Sequence, residues 1–113
     1  MRVLMIYCHP VPESFNAALR DTAKAALERA GHEVDLMDLH AEAFDPVMHA
    51  NARRLSHEIG VADHPVPGHV ARLKAAEALV FVYPSWWYGL PAMLKGWLDR
   101  VISPGFGFEL PHG

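Results

Sequence analysis

The sequence predicts an α/β fold in which helices cover a parallel sheet. Two continuous apolar runs of strand length, residues 3–7 and 78–83, are typical of strands buried on both faces of such a sheet. A third segment, residues 33–39, alternates polar and apolar residues, as in a half-buried or edge strand. Segments with helical spacing of apolar residues follow each strand, and this order indicates parallel strands joined by crossover helices.

The first predicted helix begins near Phe15 and is ended by Gly31 at the C′ position. Its expected apolar face lies opposite a charged face formed by Arg20, Asp21, Lys24 and Glu28. Apolar or small residues at three- and four-residue steps make up that face: Phe15, Ala18, Leu19, Thr22, Ala23, Ala26, Leu27 and Ala30. The helix is therefore predicted to pack its apolar face on the sheet.

The segment from about residue 40 to residue 64 has mixed periodicity. We expect a packed turn at residues 44–48, followed by a short polar helix near residues 51–57. A second amphipathic helix is predicted over residues 66–76, with Val66, Val70, Leu73 and Ala76 on one face. The third helix is predicted to start around Pro91 and run to about Ile102, where Pro104 and Gly105 stop it.

These three strands make an unfinished sheet. In a doubly wound sheet with strand order 2-1-3, the apolar third strand is an edge with an unpaired ladder. Either the natural polypeptide continues past Gly113 or something else covers that edge.

Composition excludes several classes of function. The 113 residues form at most one domain, and the net charge of -3 lacks the basic excess of a protein that binds nucleic acid or anionic membranes. One cysteine rules out an internal disulfide, and no metal-binding spacing of histidines is present. The apolar N-terminal run is too short for a signal peptide or a membrane span. We therefore expect a soluble, cytoplasmic protein without a metal.

Ligands in such sheets bind at the carboxyl ends of the strands, at the switch point between strands 1 and 3. After strand 1, Ser14 is the expected N-cap, so its hydroxyl, the amide of Asn16 and the free N–H groups of the first helical turn suit a phosphate, with His9 as a further donor. The alternative is that Ser14 only caps the helix and that His9 and Asn16 only close a turn. The loop has neither a dinucleotide fingerprint nor a Walker lysine.

The loop after strand 3 carries three successive aromatic residues, Trp86, Trp87 and Tyr88, followed by Gly89. Such a loop suits contact with a flat ring system, and the glycine permits close approach of the backbone. The alternative is that the rings fill a gap in the core or form a subunit interface. One loop suited to phosphate and one suited to a ring together indicate a nucleotide-like cofactor.

Three stretches resemble the flavodoxin-like family of NAD(P)H:quinone oxidoreductases. They are residues 9–19, with His9, Pro10, Pro12, Ser14, Phe15 and Asn16; residues 44–48; and residues 84–108, with Trp86, Trp87, Tyr88, Gly89, Gly96 and Trp97. The resemblance covers only the N-terminal part of the family domain. It implies a flavodoxin-like three-layer fold of strand order 2-1-3-4-5, of which residues 1–113 supply strands 1 to 3 as the N-terminal portion of a single domain.

The resemblance further implies a non-covalent flavin, FAD or FMN, which NAD(P)H reduces and a quinone reoxidises. His9, Ser14, Phe15 and Asn16 would bind the flavin phosphate and ribityl region, and Pro84, Ser85, Trp86, Trp87, Tyr88 and Gly89 would contact the isoalloxazine. Trp87 and Tyr88 would also wall the site for nicotinamide and quinone. A homodimer is expected, and the residues that complete the site lie beyond this chain. The alternatives are a non-catalytic regulatory or interaction protein on the same fold, of the potassium-efflux ancillary type, and a truncated inactive fragment.

Overall fold

The computed structural model describes residues 1–50 and 66–102, so the predicted helix near residues 51–57 and the stop at Pro104 and Gly105 lie outside the described residues. The strands are β1 (Arg2–Tyr7), β2 (Glu33–Asp38) and β3 (Ala78–Val82), and the helices are α1 (Phe15–Arg29), α2 (Pro67–Ala75) and α3 (Ala92–Val101). All described strand pairs are parallel, and the sheet order is β2-β1-β3. The predicted α/β architecture and strand order are confirmed.

The central strand β1 is the core of the fold. Residues 3–7 are at most 2% exposed because a strand flanks each edge and helices cover both faces. On one face, Leu4 and Ile6 belong to a cluster with Val70 of α2 and Trp97 of α3. On the other face, the ring of Tyr7 lies under the guanidinium of Arg20 on α1.

Helix α1 has the predicted ends. The hydroxyl of Ser14 accepts a hydrogen bond from the amide of Ala17, which satisfies a free N–H of the first turn. After the C-cap residue Ala30, Gly31 has a φ of 92°, a left-handed conformation that favours glycine.

The predicted apolar face of α1 is wrong. Phe15 is 77% exposed and Leu19 is 45% exposed, whereas Ala17 is buried and Arg20 and Lys24 are half-buried. Of the predicted face, only Ala23 and Leu27 are half-buried; the exposed members are Phe15, Ala18, Leu19, Thr22, Ala26 and Ala30. The reason is that small Ala17 allows close approach to the sheet, and the guanidinium of Arg20 lies over the ring of Tyr7 beside it.

The second layer follows the prediction. In α2, Val70 is buried, and Val66, Leu73 and Ala76 pack against the core cluster. Helix α3 begins one residue after Pro91 and buries Leu94, Gly96, Trp97 and Val101. Phe44 of the predicted packed turn is also buried.

The outer edge of β3 has no strand partner among residues 1–50 and 66–102. Leu79 is 41% exposed and Phe81 is 38% exposed on this strand. An apolar strand is thus left as an open edge in the described part of the sheet, as the sequence predicted.

Candidate functional site

The loops that follow β1 and β3 start side by side at the carboxyl edge of the sheet. The amide of Cys8 donates to the carbonyl of Val82 at 3.0 Å, which carries the strand pairing one residue past β1. Immediately beyond, the ring of His9 meets the indole of Trp86 edge to face, with centroids 6.0 Å apart and an interplanar angle of 63°. The structure therefore brings together the two loops that the sequence singled out.

Two predicted ligands in the first loop have structural partners. The Nδ1 atom of His9 accepts a hydrogen bond from the amide of Val11 at 3.0 Å. The hydroxyl of Ser14 accepts from the amide of Ala17 at 3.1 Å and lies 3.4 Å from the hydroxyl of Tyr7. His9 thus closes a turn and Ser14 caps a helix. Because Nδ1 of neutral His9 accepts, its Nε2 atom carries the proton and remains a donor.

The start of α1 leaves donors open. The amides of Ala17 and Ala18 donate to the carbonyl of Ser14, but the amides of Phe15 and Asn16 have no hydrogen-bond partner within the described ranges. The side chain of Asn16 is half-buried, and that of Phe15 points largely into solvent. Unpaired amides at the positive end of a 15-residue helix are suited to bind an anion.

The second loop is a two-residue turn with an unusual backbone. Trp86 and Gly89 exchange two backbone hydrogen bonds, of 3.2 and 3.1 Å. The residues between them, Trp87 and Tyr88, have φ angles of 53° and 61°. This is the pattern of a type I′ turn, which normally takes Asn and Gly because both central residues have positive φ. Two bulky residues here are held in a strained conformation, a common feature of functional sites.

The turn projects its two central rings away from the chain. Trp87 is 96% exposed and Tyr88 is fully exposed, so neither ring fills a gap in the described core. Their backbone amides also have no partner in the part of the chain that the structure describes. The turn therefore offers two apolar rings and two free donors to a ligand or to another protein surface.

The other predicted residues of this loop are less constrained. Ser85 is exposed and Pro84 is half-buried. Gly89 does not have a positive φ, and a β-carbon there would lie 4.0 Å from the carbonyl oxygens of Trp86 and Trp87. Nothing within the described chain requires a glycine at this position, so close approach of a ligand to Gly89 stays a prediction.

Sequence reasoning missed a groove of about 230 Å³ beside His9, at the ends of β1 and β2. Its polar walls include Arg20, Asp38 and His40. The guanidinium of Arg20 lies 4.6 Å above the ring of Tyr7, and its Nη1 atom is 3.8 Å from the Asp38 carboxylate. A hydrogen bond with Asp21 raises the pKa of Arg20 above its ordinary value. The only sequence signal was the position of Asp38 at the end of the alternating strand.

Other chemistry is limited in the described residues. Cys8 is buried, and burial raises the pKa of its thiol, so it stays protonated. In residues 1–50 and 66–102, no three acidic, histidine or cysteine side chains are grouped as metal ligands. Over the same ranges, no helix has the length and apolar character needed to cross a membrane.

Similarity to known proteins is strong in sequence and in structure. The ribosyldihydronicotinamide dehydrogenase [quinone] of Pongo abelii is 32% identical over 97% of this chain and 54% of its own length. A crystal structure of Smu.1420 from Streptococcus mutans matches with a TM-score of 0.83 and 36% identity, over 96% of this chain and 57% of that one. An NAD(P)H:quinone oxidoreductase from Methanothermobacter marburgensis matches with a TM-score of 0.80 and 32% identity, over 95% and 55%.

The chain spans about half the length of the curated relatives it matches. A family described by its flavodoxin-like fold matches residues 1–113. The β2-β1-β3 order and the two loops at the carboxyl edge of the sheet agree with that match. This chain belongs to the flavodoxin-like fold family.

Proposed function

We propose that the protein is a flavin-dependent NAD(P)H:quinone oxidoreductase. The observation that carries the proposal is the contact between His9 and Trp86, which joins an anion-suited helix start to an exposed aromatic turn. The names of the relatives support it, since they include quinone dehydrogenases and a quinone oxidoreductase. When bound, the flavin, FAD or FMN, supplies two-electron hydride chemistry between NAD(P)H and a quinone.

The start of α1 fits the phosphate end of the cofactor. The open amides of Phe15 and Asn16 provide two donors at the helix terminus. The Nε2–H of His9 and the side chain of Asn16 add neutral donors around them, and the hydroxyl of Ser14 lies at the same terminus. Residues 8–16 contain no Lys or Arg, so a phosphate at this loop would be bound by neutral donors together with the helix dipole.

The turn after β3 fits the flat end of the cofactor. The unpaired amides of Trp87 and Tyr88 can donate to a heteroaromatic edge, and residues 84–89 present the backbone around them. The rings of Trp87 and Tyr88 provide apolar walls on which nicotinamide and quinone stack in turn. When a nicotinamide or a quinone stacks there, the side chains of Trp87 and Tyr88 would also keep water from the covered face of its ring.

Further features of the whole protein are part of the same proposal. Residues 1–113 are the N-terminal portion of one domain, which the open edge of β3 and the half-length matches support. The protein is a homodimer, a proposal that the exposed apolar side chains of Phe15 and Leu19 favour. The single, buried cysteine favours a cytoplasmic location.

The test compares Trp87→Ala with Val47→Ala in the full-length protein. Flavin content and affinity are measured by absorbance and fluorescence, and turnover is followed as NAD(P)H oxidation in the presence of a quinone. Because the Trp87 side chain is 96% exposed, the variant should fold as the wild type does but lose affinity for flavin or quinone. Val47 is also exposed, at 53%, but lies on the turn at residues 44–48, so Val47→Ala should change neither flavin affinity nor turnover.

The alternatives give different results. If Trp87→Ala binds flavin and turns over as the wild type does, the aromatic turn is not the ring site. A protein that binds flavin but does not oxidise NAD(P)H is a non-catalytic regulatory or interaction protein on the same fold. A full-length protein that binds neither FAD nor FMN is a cofactor-free product, and the proposal fails.

A further inference from the structure

The imidazole of His69 joins α2 to α3 and to residues 42–44, which follow β2. Its Nδ1 atom accepts a hydrogen bond from the indole N–H of Trp97 at 2.9 Å, and its Nε2 atom lies 3.2 Å from the carboxylate of Glu42. The ring also stacks on Phe44, with centroids 5.0 Å apart and an interplanar angle of 30°. Only 16% of the His69 side chain is exposed. The imidazole is therefore held from three directions.

These partners define the protonation state of His69. An indole N–H is a donor only, so Nδ1 must be bare to accept from Trp97. The single ring proton is then on Nε2, where it faces the acceptor oxygen of Glu42. A second proton would sit on Nδ1 and point at the N–H of Trp97, which puts two donors face to face. Trp97 is completely buried, so no water is at hand to accept in place of Nδ1.

We propose that His69 is a proton-operated latch between α2 and α3: the neutral ring holds the Trp97 indole, and the protonated ring releases it and loosens α3. This inference rests on the described contacts of His69 and is independent of the proposed flavin chemistry.

Charged groups from each neighbouring element act on the latch. Glu42, which follows β2, favours the protonated form of the His69 ring. Arg72 on α2 and Arg100 on α3 disfavour that form. Asp35 on β2 faces the same cluster, but it is engaged by the guanidinium of Arg72 at 2.7 Å. Burial is the largest effect and lowers the pKa of His69 below its ordinary value of 6.5. The latch is thus closed at neutral pH and opens on the acidic side.

The effect of releasing Trp97 can be transmitted along the polypeptide chain to the carboxyl edge of the sheet. Helix α3 directly follows the loop that contains Trp86 and Gly89, and Trp97 lies in its second turn. Trp97 also meets Phe81 of β3 edge to face, with centroids 6.2 Å apart. A change at His69 can therefore alter how the aromatic turn is held, although His69 itself lies outside that turn.

The experiment follows the indole N–H resonance of Trp97 in the ¹⁵N-labelled full-length protein as the pH is lowered. We expect this resonance to shift with a midpoint below pH 6.5 and its exchange with solvent to accelerate over the same range. In His69→Gln the shift should vanish, because the Gln side chain can accept from Trp97 and donate to Glu42 but does not titrate. His32→Gln is the control: His32 is at the other end of the sheet, beside Met1, and its loss should leave the Trp97 titration unchanged.

A second variant tests the electrostatic part and stands on its own if His69→Gln does not fold. Glu42→Gln keeps an acceptor for Nε2–H but removes the negative charge, so the Trp97 midpoint should move to lower pH. The proposal is overturned if the Trp97 resonance does not titrate in the wild type, if its titration survives unchanged in a folded His69→Gln protein, or if Glu42→Gln leaves the midpoint in place or raises it.

Discussion

Gly96 of α3 touches Pro46 so closely that a β-carbon at Gly96 would overlap the carbonyl oxygen and the Cβ atom of Pro46. The helix and the turn at residues 44–48 therefore meet without an intervening side chain. At the same contact, Arg100 donates to the carbonyl of Asp45 at 2.5 Å, and its guanidinium lies 5.5 Å from the ring of Phe44. This close approach places Phe44 where it stacks on His69.

Gly96→Ala should destabilise the protein. The added methyl group can be accommodated only if the turn moves away from α3, since the nearest atoms are backbone and ring atoms of Pro46 rather than a flexible side chain. We expect the free energy of unfolding in urea to fall by about 1–3 kcal/mol, as for other overpacked sites. Gly68→Ala on α2 is the matched control, because nothing lies within 4 Å of its β-carbon position. That variant should be neutral or gain up to about 1 kcal/mol from helix propensity; equal losses in both would rule out the packing explanation.

Asp35 should make the stability depend on pH in the acidic range. Both of its carboxylate oxygens accept from Arg72, at 2.7 and 3.0 Å, and these bonds hold its pKa below the ordinary 3.8. As pH falls below about 3.8, the unfolded chain takes up a proton that folded Asp35 still refuses, so the stability from this pair is present above that pH and is lost below it. Asp35→Asn should lower the free energy of unfolding at pH 7 by about 1–3 kcal/mol.

The measurement is a series of urea unfolding curves between neutral and acidic pH, for the wild type and Asp35→Asn. The difference between the two should shrink as the pH drops through the acidic range. Asp21→Asn is the comparison: Asp21 also pairs with an arginine, but its side chain is 68% exposed, so its loss should cost less than about 0.5 kcal/mol. A difference at Asp35 that stays constant with pH would contradict the assigned shift.

The strands and their order could be predicted because their signals are local. Two apolar runs and one alternating segment contain the information for β1, β3 and β2, and the crossover helices between them leave few topologies. Ser14 and Gly31 likewise marked the two ends of α1, because capping depends on residues adjacent in sequence.

What could not be predicted depends on how elements dock. In α1, alanines occur all round the helix, so periodicity did not show that Ala17 faces the sheet while Phe15 faces solvent. The Trp97 bond to His69 joins residues 28 apart and exists only because α2 and α3 share one face of the sheet. At the candidate site, the sequence indicated the aromatic loop but not its left-handed turn, since Trp-Tyr is not a turn signal of this type.

The positive φ angles of Trp87 and Tyr88 should lower the stability of the protein. Replacing the pair by Asn and Gly (Trp87→Asn with Tyr88→Gly) supplies the residues that a type I′ turn favours. We expect the free energy of unfolding of the cofactor-free protein to rise by about 1–2 kcal/mol as the strain is relieved. The control, Trp87→Ala with Tyr88→Ala, removes the same rings but keeps a β-carbon at both positive-φ positions, so it should gain little. If both double variants are equally stable, the backbone of the wild-type turn is not strained.

Ser14 allows helix capping to be separated from ligand binding. Ser14→Ala removes the acceptor for the amide of Ala17 and should cost about 1 kcal/mol of stability, measured by urea unfolding. Ser14→Asp keeps a capping oxygen and adds a negative charge at the helix start, so it should be as stable as the wild type.

The two variants should rank in the opposite order for flavin affinity. The carboxylate of Ser14→Asp would repel a phosphate held by the amides of Phe15 and Asn16. Ser14→Ala adds no charge at the helix start and leaves those amides available. Flavin titrations on both variants measure this, and Thr22→Asp, exposed further along α1, controls for the added charge. If Ser14→Asp binds flavin as tightly as Thr22→Asp does, the phosphate does not lie at the start of α1. That result would leave the capping role of Ser14 intact and remove the helix terminus from the proposed site.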